Sequence, residues 1–178
     1  MDKVLIVIDM QNDFIDGSLG TPEAQAIVDN VVAKIEEFRK ENDTIYFTKD
    51  THDNSYTNTL ESKYLPIEHC IYDTHGWNLC DAIENECKRS DGIVLLKYTF
   101  GFSYWESYLE RHFINTIEIC GLCTDICVVS NALILRALYP NVEIICDASC
   151  CAGTTPENHK AALDVMRSCQ IQVINDEC

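Results

Sequence analysis

The stretch Ile117–Leu138, IEICGLCTDICVVSNALILRAL, reads as a strand running into a helix with its polar residues gathered at the joint. Ile117–Cys120 is apolar and β-branched apart from Glu118, while Asp125–Leu138 repeats its apolar residues at helical spacing. Between and just beyond them stand Cys123, Thr124, Asp125 and Cys127. The two cysteines, four residues apart, admit three readings: core thiols, half of a zinc site, or a nucleophile beside its binding pocket.

The same strand-then-helix unit recurs outward from this stretch in both directions. Strands are predicted at Val4–Ile8, Thr44–Thr48, Ile93–Lys97, Ile117–Cys120, Val142–Cys146 and Gln172–Ile174. Helices are predicted at Glu23–Lys40, Trp77–Lys88, Tyr104–His112, Asp125–Leu138 and Pro156–Cys169. Strands nearly free of polar residues must be covered on both faces, so the alternation predicts an α/β fold with a parallel sheet and right-handed helical crossovers. Pro and Gly are sparse, and no linker or repeat interrupts the pattern, so residues 1–178 are expected to form one domain.

Thirteen basic against 29 acidic residues give a net charge of -16, which repels phosphate backbones and anionic bilayers and argues against nucleic acid or membrane as a partner. The apolar run before Asp9 is five residues long, too short for a signal segment or a membrane span, and a cytoplasmic protein is expected. Eleven cysteines form an odd, irregularly spaced set, several of them inside apolar runs, and this reads as reduced, buried thiols.

In an open parallel sheet the site lies beyond the carboxyl ends of the strands. There the sequence places Asp9 in IDMQNDF, Asp50 and His52 in KDTHDN, Lys97 in LLKYTFGF, and Cys123 to Cys127 in GLCTDIC. An Asp after a strand also serves as a cap or turn former, and a Lys as a solvated strand end. Yet Asp9 and Lys97 each follow an apolar run, where a charge needs a partner, and pairing them with each other satisfies both. If Thr124 or Asp125 caps the following helix, Cys127 falls in its first turn, where backbone N–H groups favour a thiolate and the amides of Cys123 and Cys127 can serve as oxyanion donors. Asp50 and His52, two apart on an extended chain, project to one side, and His69 follows after a loop long enough to fold back. One carboxylate and two imidazoles suit Zn²⁺, Fe²⁺ or Mn²⁺ with positions left open, and Glu61 can add a second carboxylate; a surface Asp–His pair is the plainer alternative.

Taken in order, DMQNDF, KDTHDN, EHC, LLKYTFGF and GLCTDICV closely resemble the isochorismatase-like cysteine hydrolases, and within them the nicotinamidase (pyrazinamidase) branch, from Val4 to about Ala152. The resemblance implies an open six-stranded, mainly parallel sheet in the order 3-2-1-4-5-6 with helices on both faces. It implies a catalytic triad of Asp9, Lys97 and Cys127, with the backbone N–H groups of Cys123 and Cys127 as the oxyanion hole. The metal ligands it implies are Asp50, His52 and His69, with Glu61 as an extra one, holding a divalent ion: zinc first, Fe²⁺ or Mn²⁺ otherwise. It also implies a cis peptide between Leu122 and Cys123, and it has Cys123 standing where many relatives have Ala.

The implied reaction converts nicotinamide to nicotinic acid and ammonia through a thioester on Cys127, with the metal gripping the pyridine nitrogen. Phe14, Phe100, Tyr104 and Trp105 are candidate walls for a flat ring, or equally ordinary core. A small aromatic amide is thus the expected partner, and association into a homo-oligomer is left open. Two other readings stay in view: a cysteine hydrolase of the same fold acting on another small amide or carbamoyl compound, and a non-enzymatic zinc or thiol module built on Cys123 and Cys127. The latter lacks a second Cys or His pair of matching spacing within the next twenty residues. An isochorismatase proper does not use the nucleophilic cysteine that this chain has in place.

Overall fold

The computed structural model describes residues 2–109 and 114–176. Its strands are β1 (Asp2–Ile8), β2 (Thr44–Asp50), β3 (Ile93–Lys97), β4 (Ile114–Leu122), β5 (Glu143–Ala152) and β6 (Gln172–Ile174). The α-helices are α1 (Asn12–Ile15), α2 (Pro22–Ala26), α3 (Val28–Glu41), α4 (Asp81–Arg89), α5 (Val129–Leu138) and α6 (Pro156–Ser168). All neighbouring strands pair in parallel, in the order β3-β2-β1-β4-β5-β6 that the family resemblance implies. The chain winds one way from β1 to β3 and the other way from β4 to β6, so right-handed crossovers put α3 and α4 on one face and α5 and α6 on the other. Covered on both sides, Leu5, Ile6, Val7 and Ile8 of β1 are fully buried, which is why this strand reads as an unbroken apolar run.

Register then delivers the polar residues to one place. β2 and β3 pair so that Asp50 lies opposite Lys97 at their carboxyl ends. β1 and β4 pair so that Ile8 lies opposite Gly121, one residue before Asp9 and just ahead of the Cys123 turn. Gly121 has φ +114°, and a Cβ there would come within 2.1 Å of the Ile8 carbonyl oxygen, so this approach of β4 to β1 requires glycine.

Four of the five predicted helices differ from their expected bounds by more than one residue. The Glu23–Lys40 segment is two helices, capped by Thr21, whose Oγ1 accepts from Ala24 N, and broken at Ile27, where ψ is -11°. The Trp77–Lys88 helix starts only at Asp81, because the carbonyls of Trp77 and Asn78 accept from the Gln11 side chain and from Asn12 N. The Tyr104–His112 helix is a single 3-10 turn, Trp105–Ser107, with residues 110–112 lying outside the described residues. There the carbonyls of Tyr108 and Leu109 accept from the hydroxyls of Tyr46 and Tyr139. The Asp125–Leu138 helix opens as a π-turn, Thr124–Val128, and becomes α-helical from Val129.

Away from the strand ends, Lys34 of α3 reaches the sheet, with Nζ 2.6 Å from Glu118 Oε1 on β4 and 3.0 Å from Asp147 Oδ2 on β5. Both carboxylates are buried, and one ammonium serves both. Removing one partner of such a group leaves uncompensated buried charge. Lys34→Met is therefore expected to lower unfolding stability by about 3 kcal/mol in urea titrations. Adding Glu118→Leu to that variant should recover a good part of the loss; equal stability of Lys34→Met and the parent would show that the network contributes nothing.

Candidate active site

The centre of the site is the Lys97 ammonium, buried together with every group it touches. Its Nζ lies 2.7 Å from Asp9 Oδ2, 3.0 Å from Asp50 Oδ1 and 3.4 Å from Cys127 Sγ. Asp9 is oriented from its other side: Thr48 Oγ1 donates to its Oδ1 at 2.7 Å, and its own N–H donates to the Thr48 carbonyl at 3.2 Å. Burial opposes the charge on Lys97, but Asp9, Cys127 and Asp50 outweigh it and hold the ammonium well above its ordinary pKa. Asp50, opposed by burial but favoured by Lys97 and His52, is held down to about 2. Asp9 goes the other way, raised by burial, partly pulled back by Lys97 and pushed up again by Asp50.

The sequence reading makes a thiolate-favouring first turn at Cys127 conditional on a cap by Thr124 or Asp125, and that cap does not form. Neither Thr124 nor Asp125 caps the helix. Thr124 Oγ1 is 2.8 Å from His159 Nδ1, and the Asp125 carboxylate accepts from Thr154 N at 2.8 Å and Thr154 Oγ1 at 2.6 Å. Burial then dominates the sulfur and pushes its pKa well up against the pull of Lys97, while Asp9 accepts a hydrogen bond from it. The sulfur thus sits beside a carboxylate able to take its proton. Burial likewise pushes the Cys123 thiol up to about 12. The Leu122–Cys123 peptide is cis, where the resemblance puts one.

On the far side of Lys97, Asp50 turns its other oxygen toward two imidazoles. Asp50 Oδ2 is 3.2 Å from His52 Nε2 and 3.7 Å from His69 Nε2, and Glu61 Oε1 is 3.8 Å and 3.5 Å from the same two nitrogens. The donor atoms of Asp50, His52 and His69 lie within 4.8 Å of one another. His69 Nδ1 sits 2.8 Å from the Ile67 carbonyl, which assigns the ring proton to Nδ1 and leaves the Nε2 lone pair facing the cluster. Two imidazole nitrogens and carboxylate oxygens converging on one point fit a divalent cation.

A cavity of about 760 Å³ runs from this cluster past the thiol, and Phe14, Asp50, Glu61, His69, Phe100, Cys123 and Cys127 line it. His52 opens instead onto a neighbouring cavity of about 340 Å³. Two of the four aromatic residues predicted as ring walls lie elsewhere. Trp105 is fully buried in the core with Nε1 donating to Asn131 Oδ1 at 3.0 Å, and Tyr104 is exposed outside the cavity lining.

Three residues that hold the site were not singled out from the sequence. Gln11 clamps Asp50, donating from Nε2 to its carbonyl at 2.9 Å and accepting its N–H at Oε1 at 2.7 Å. Asp13 Oδ2 accepts the N–H of Cys70, the residue after His69, at 2.7 Å. Asn131, fully buried, accepts from Phe102 N and donates to the carbonyls of Phe100 and Cys127, tying the loop after Lys97 to the nucleophile turn. Signals for them existed: Gln11 and Asp13 belong to DMQNDF, and Asn131 is a polar residue one helical turn after Cys127 on its buried face.

The isochorismatase domain family matches residues 3–178. A probable inactive nicotinamidase of Arabidopsis thaliana is 30% identical, with 94% of this chain and 89% of that protein covered. The crystal structure of a pyrazinamidase/nicotinamidase from Streptococcus mutans superposes with a TM-score of 0.86 at 29% identity, covering 97% of this chain and 100% of that one. A pyrazinamidase from Pyrococcus horikoshii solved in complex with zinc gives a TM-score of 0.80 at 26% identity, covering 98% and 99%. With the matched domain spanning nearly its whole length and its fold shared with these structures, the chain belongs to the isochorismatase family of hydrolases, in the nicotinamidase/pyrazinamidase branch.

Proposed function

We propose that this protein is a metal-assisted cysteine amidohydrolase that converts nicotinamide, or a close aromatic carboxamide, to the acid and ammonia. The observation that carries the reading is the single Lys97 ammonium in contact with Asp9, Asp50 and Cys127, because it places a thiol, a proton acceptor and a candidate metal site within one side chain's reach. Asp50, His52 and His69, with Glu61 nearby, would hold a divalent ion, which would supply a Lewis acid for a ring nitrogen of the substrate; zinc suits this donor set.

The remaining steps belong to the chain's own residues. Asp9 accepts the Cys127 proton as the sulfur attacks the carboxamide carbon, and Lys97 holds the carboxylate in place. Negative charge that develops on the carbonyl oxygen is met by the backbone N–H groups of Cys123 and Cys127. Asp9 then gives its proton to the departing nitrogen, the C–N bond breaks and ammonia leaves an acyl thioester on Cys127. Water, deprotonated by Asp9, adds to the thioester; the C–S bond breaks, the acid is released and the sulfur regains its proton. Phe14 and Phe100 flank the ring.

Two measurements test this reading. In a nicotinamide assay, Cys127→Ala is expected to abolish ammonia release while retaining ligand binding by calorimetry. Cys123→Ala keeps its backbone amide and should keep most of the activity; the reverse pattern would move the nucleophile to Cys123. Chelation of the metal should lower nicotinamide hydrolysis by orders of magnitude, the scale expected for lost positioning. Alkylation of Cys127 by iodoacetamide and the thermal midpoint should meanwhile stay near their starting values. Collapse of the melting transition on chelation would instead identify the ion as structural.

A further inference from the structure

The cavity is much larger than the ring it is proposed to hold. An apolar cavity of about 150 Å³ suffices for benzene, whereas about 760 Å³ falls in the range that buries drug-sized ligands. Its two ends differ in character. Asp50, His69 and Cys127 are buried at the inner end, and the mouth is formed by Leu60, Tyr64 and Tyr98. Leu60, Tyr64 and Tyr98 are each more than two-thirds exposed, an unusual cluster of large apolar side chains left to water at the entrance of a site. They are also fixed close to the chemistry by the chain itself. Leu60 precedes Glu61, which lies 3.5 Å from His69 Nε2, and Tyr98 follows Lys97.

We propose that this mouth is an apolar subsite for a second ring, so that the favoured substrates are pyridine-3-carboxamides bearing an aryl or similar apolar group on the ring edge remote from both the amide and the ring nitrogen. The inference rests on the amidohydrolase reading above. With the ring nitrogen at the Asp50–His52–His69 end and the amide carbon at Cys127, both contacts are deep, and the remaining edge of the ring faces the mouth. A substituent there covers Leu60, Tyr64 and Tyr98 and removes apolar surface from water on both partners. Because the mouth does not touch the reacting atoms, ground and transition states gain alike, and the gain falls on KM rather than kcat.

The test compares nicotinamide with 5-phenylpyridine-3-carboxamide on the metal-loaded protein and on its Leu60→Ser/Tyr64→Ser double variant, with thermal melting to confirm that the variant is folded. The phenyl compound is expected to have a kcat/KM about tenfold higher than nicotinamide, carried by a lower KM. In the double variant the ratio of the two should fall toward one. Turnover of the phenyl compound without turnover of nicotinamide would also support the subsite. Turnover of nicotinamide with the phenyl compound slower, or a ratio untouched by the double substitution, would overturn the subsite and leave the amidohydrolase reading standing. Hydrolysis of neither compound would overturn both.

Discussion

One buried ammonium holds this site together. Asp9 and Asp50 are carboxylates at the ends of adjacent strands, both out of contact with water, and each requires a counter-charge to remain ionised there. Lys97 is that counter-charge for both, at 2.7 and 3.0 Å. The arrangement demands a particular sheet: β1 between β2 and β4, with β3 beyond β2 and in a register that sets Lys97 opposite Asp50. A slip of one residue in β3 would turn Lys97 to the other face and leave two carboxylates facing each other. The same ammonium joins two chemically separate halves, a thiol with its proton acceptor on one side and a cluster of nitrogen and oxygen donors on the other.

The central strands were legible because buried parallel strands must be apolar on both faces, and Val4–Ile8 carries that requirement in its composition. Several strands nonetheless run further than their apolar runs. β5 continues through Asp147 and Ser149, whose polar side chains are satisfied by Lys34, Asn175 and each other, a pairing that no local pattern announces. Helix starts were less legible for a related reason. The Trp77–Cys80 segment has helical composition, but its carbonyls are claimed by Gln11 and Asn12 from more than sixty positions away. A contact at that separation leaves no trace in the spacing of neighbours.

The site shows the same division. Asp9, Asp50, Lys97 and Cys127 could be placed together because the strand-end rule for open α/β sheets is a rule about topology, and the topology was readable. Side-chain direction was not. Trp105 stands near the candidate pocket in sequence yet points into the core, where Asn131 satisfies its indole N–H; Tyr98, which the motif LLKYTFGF also contains, lines the cavity instead. The helix-terminus reading of Cys127 assumed a side-chain cap, but Thr124 and Asp125 are bonded to His159 and Thr154 instead. Burial of the sulfur raises its pKa against the pull of Lys97.

The claim that Cys127 attacks a carboxamide carbon is tested most directly by rapid acid quench of the metal-loaded protein during turnover of nicotinamide, followed by mass spectrometry of the intact chain and of its peptides. The account predicts a nicotinoyl adduct that appears within the first turnover, decays as nicotinamide is exhausted and maps to the peptide containing Cys127. Nicotinic acid formed without any adduct when thioester hydrolysis is slowed by low temperature, or an adduct confined to Cys123, would contradict it.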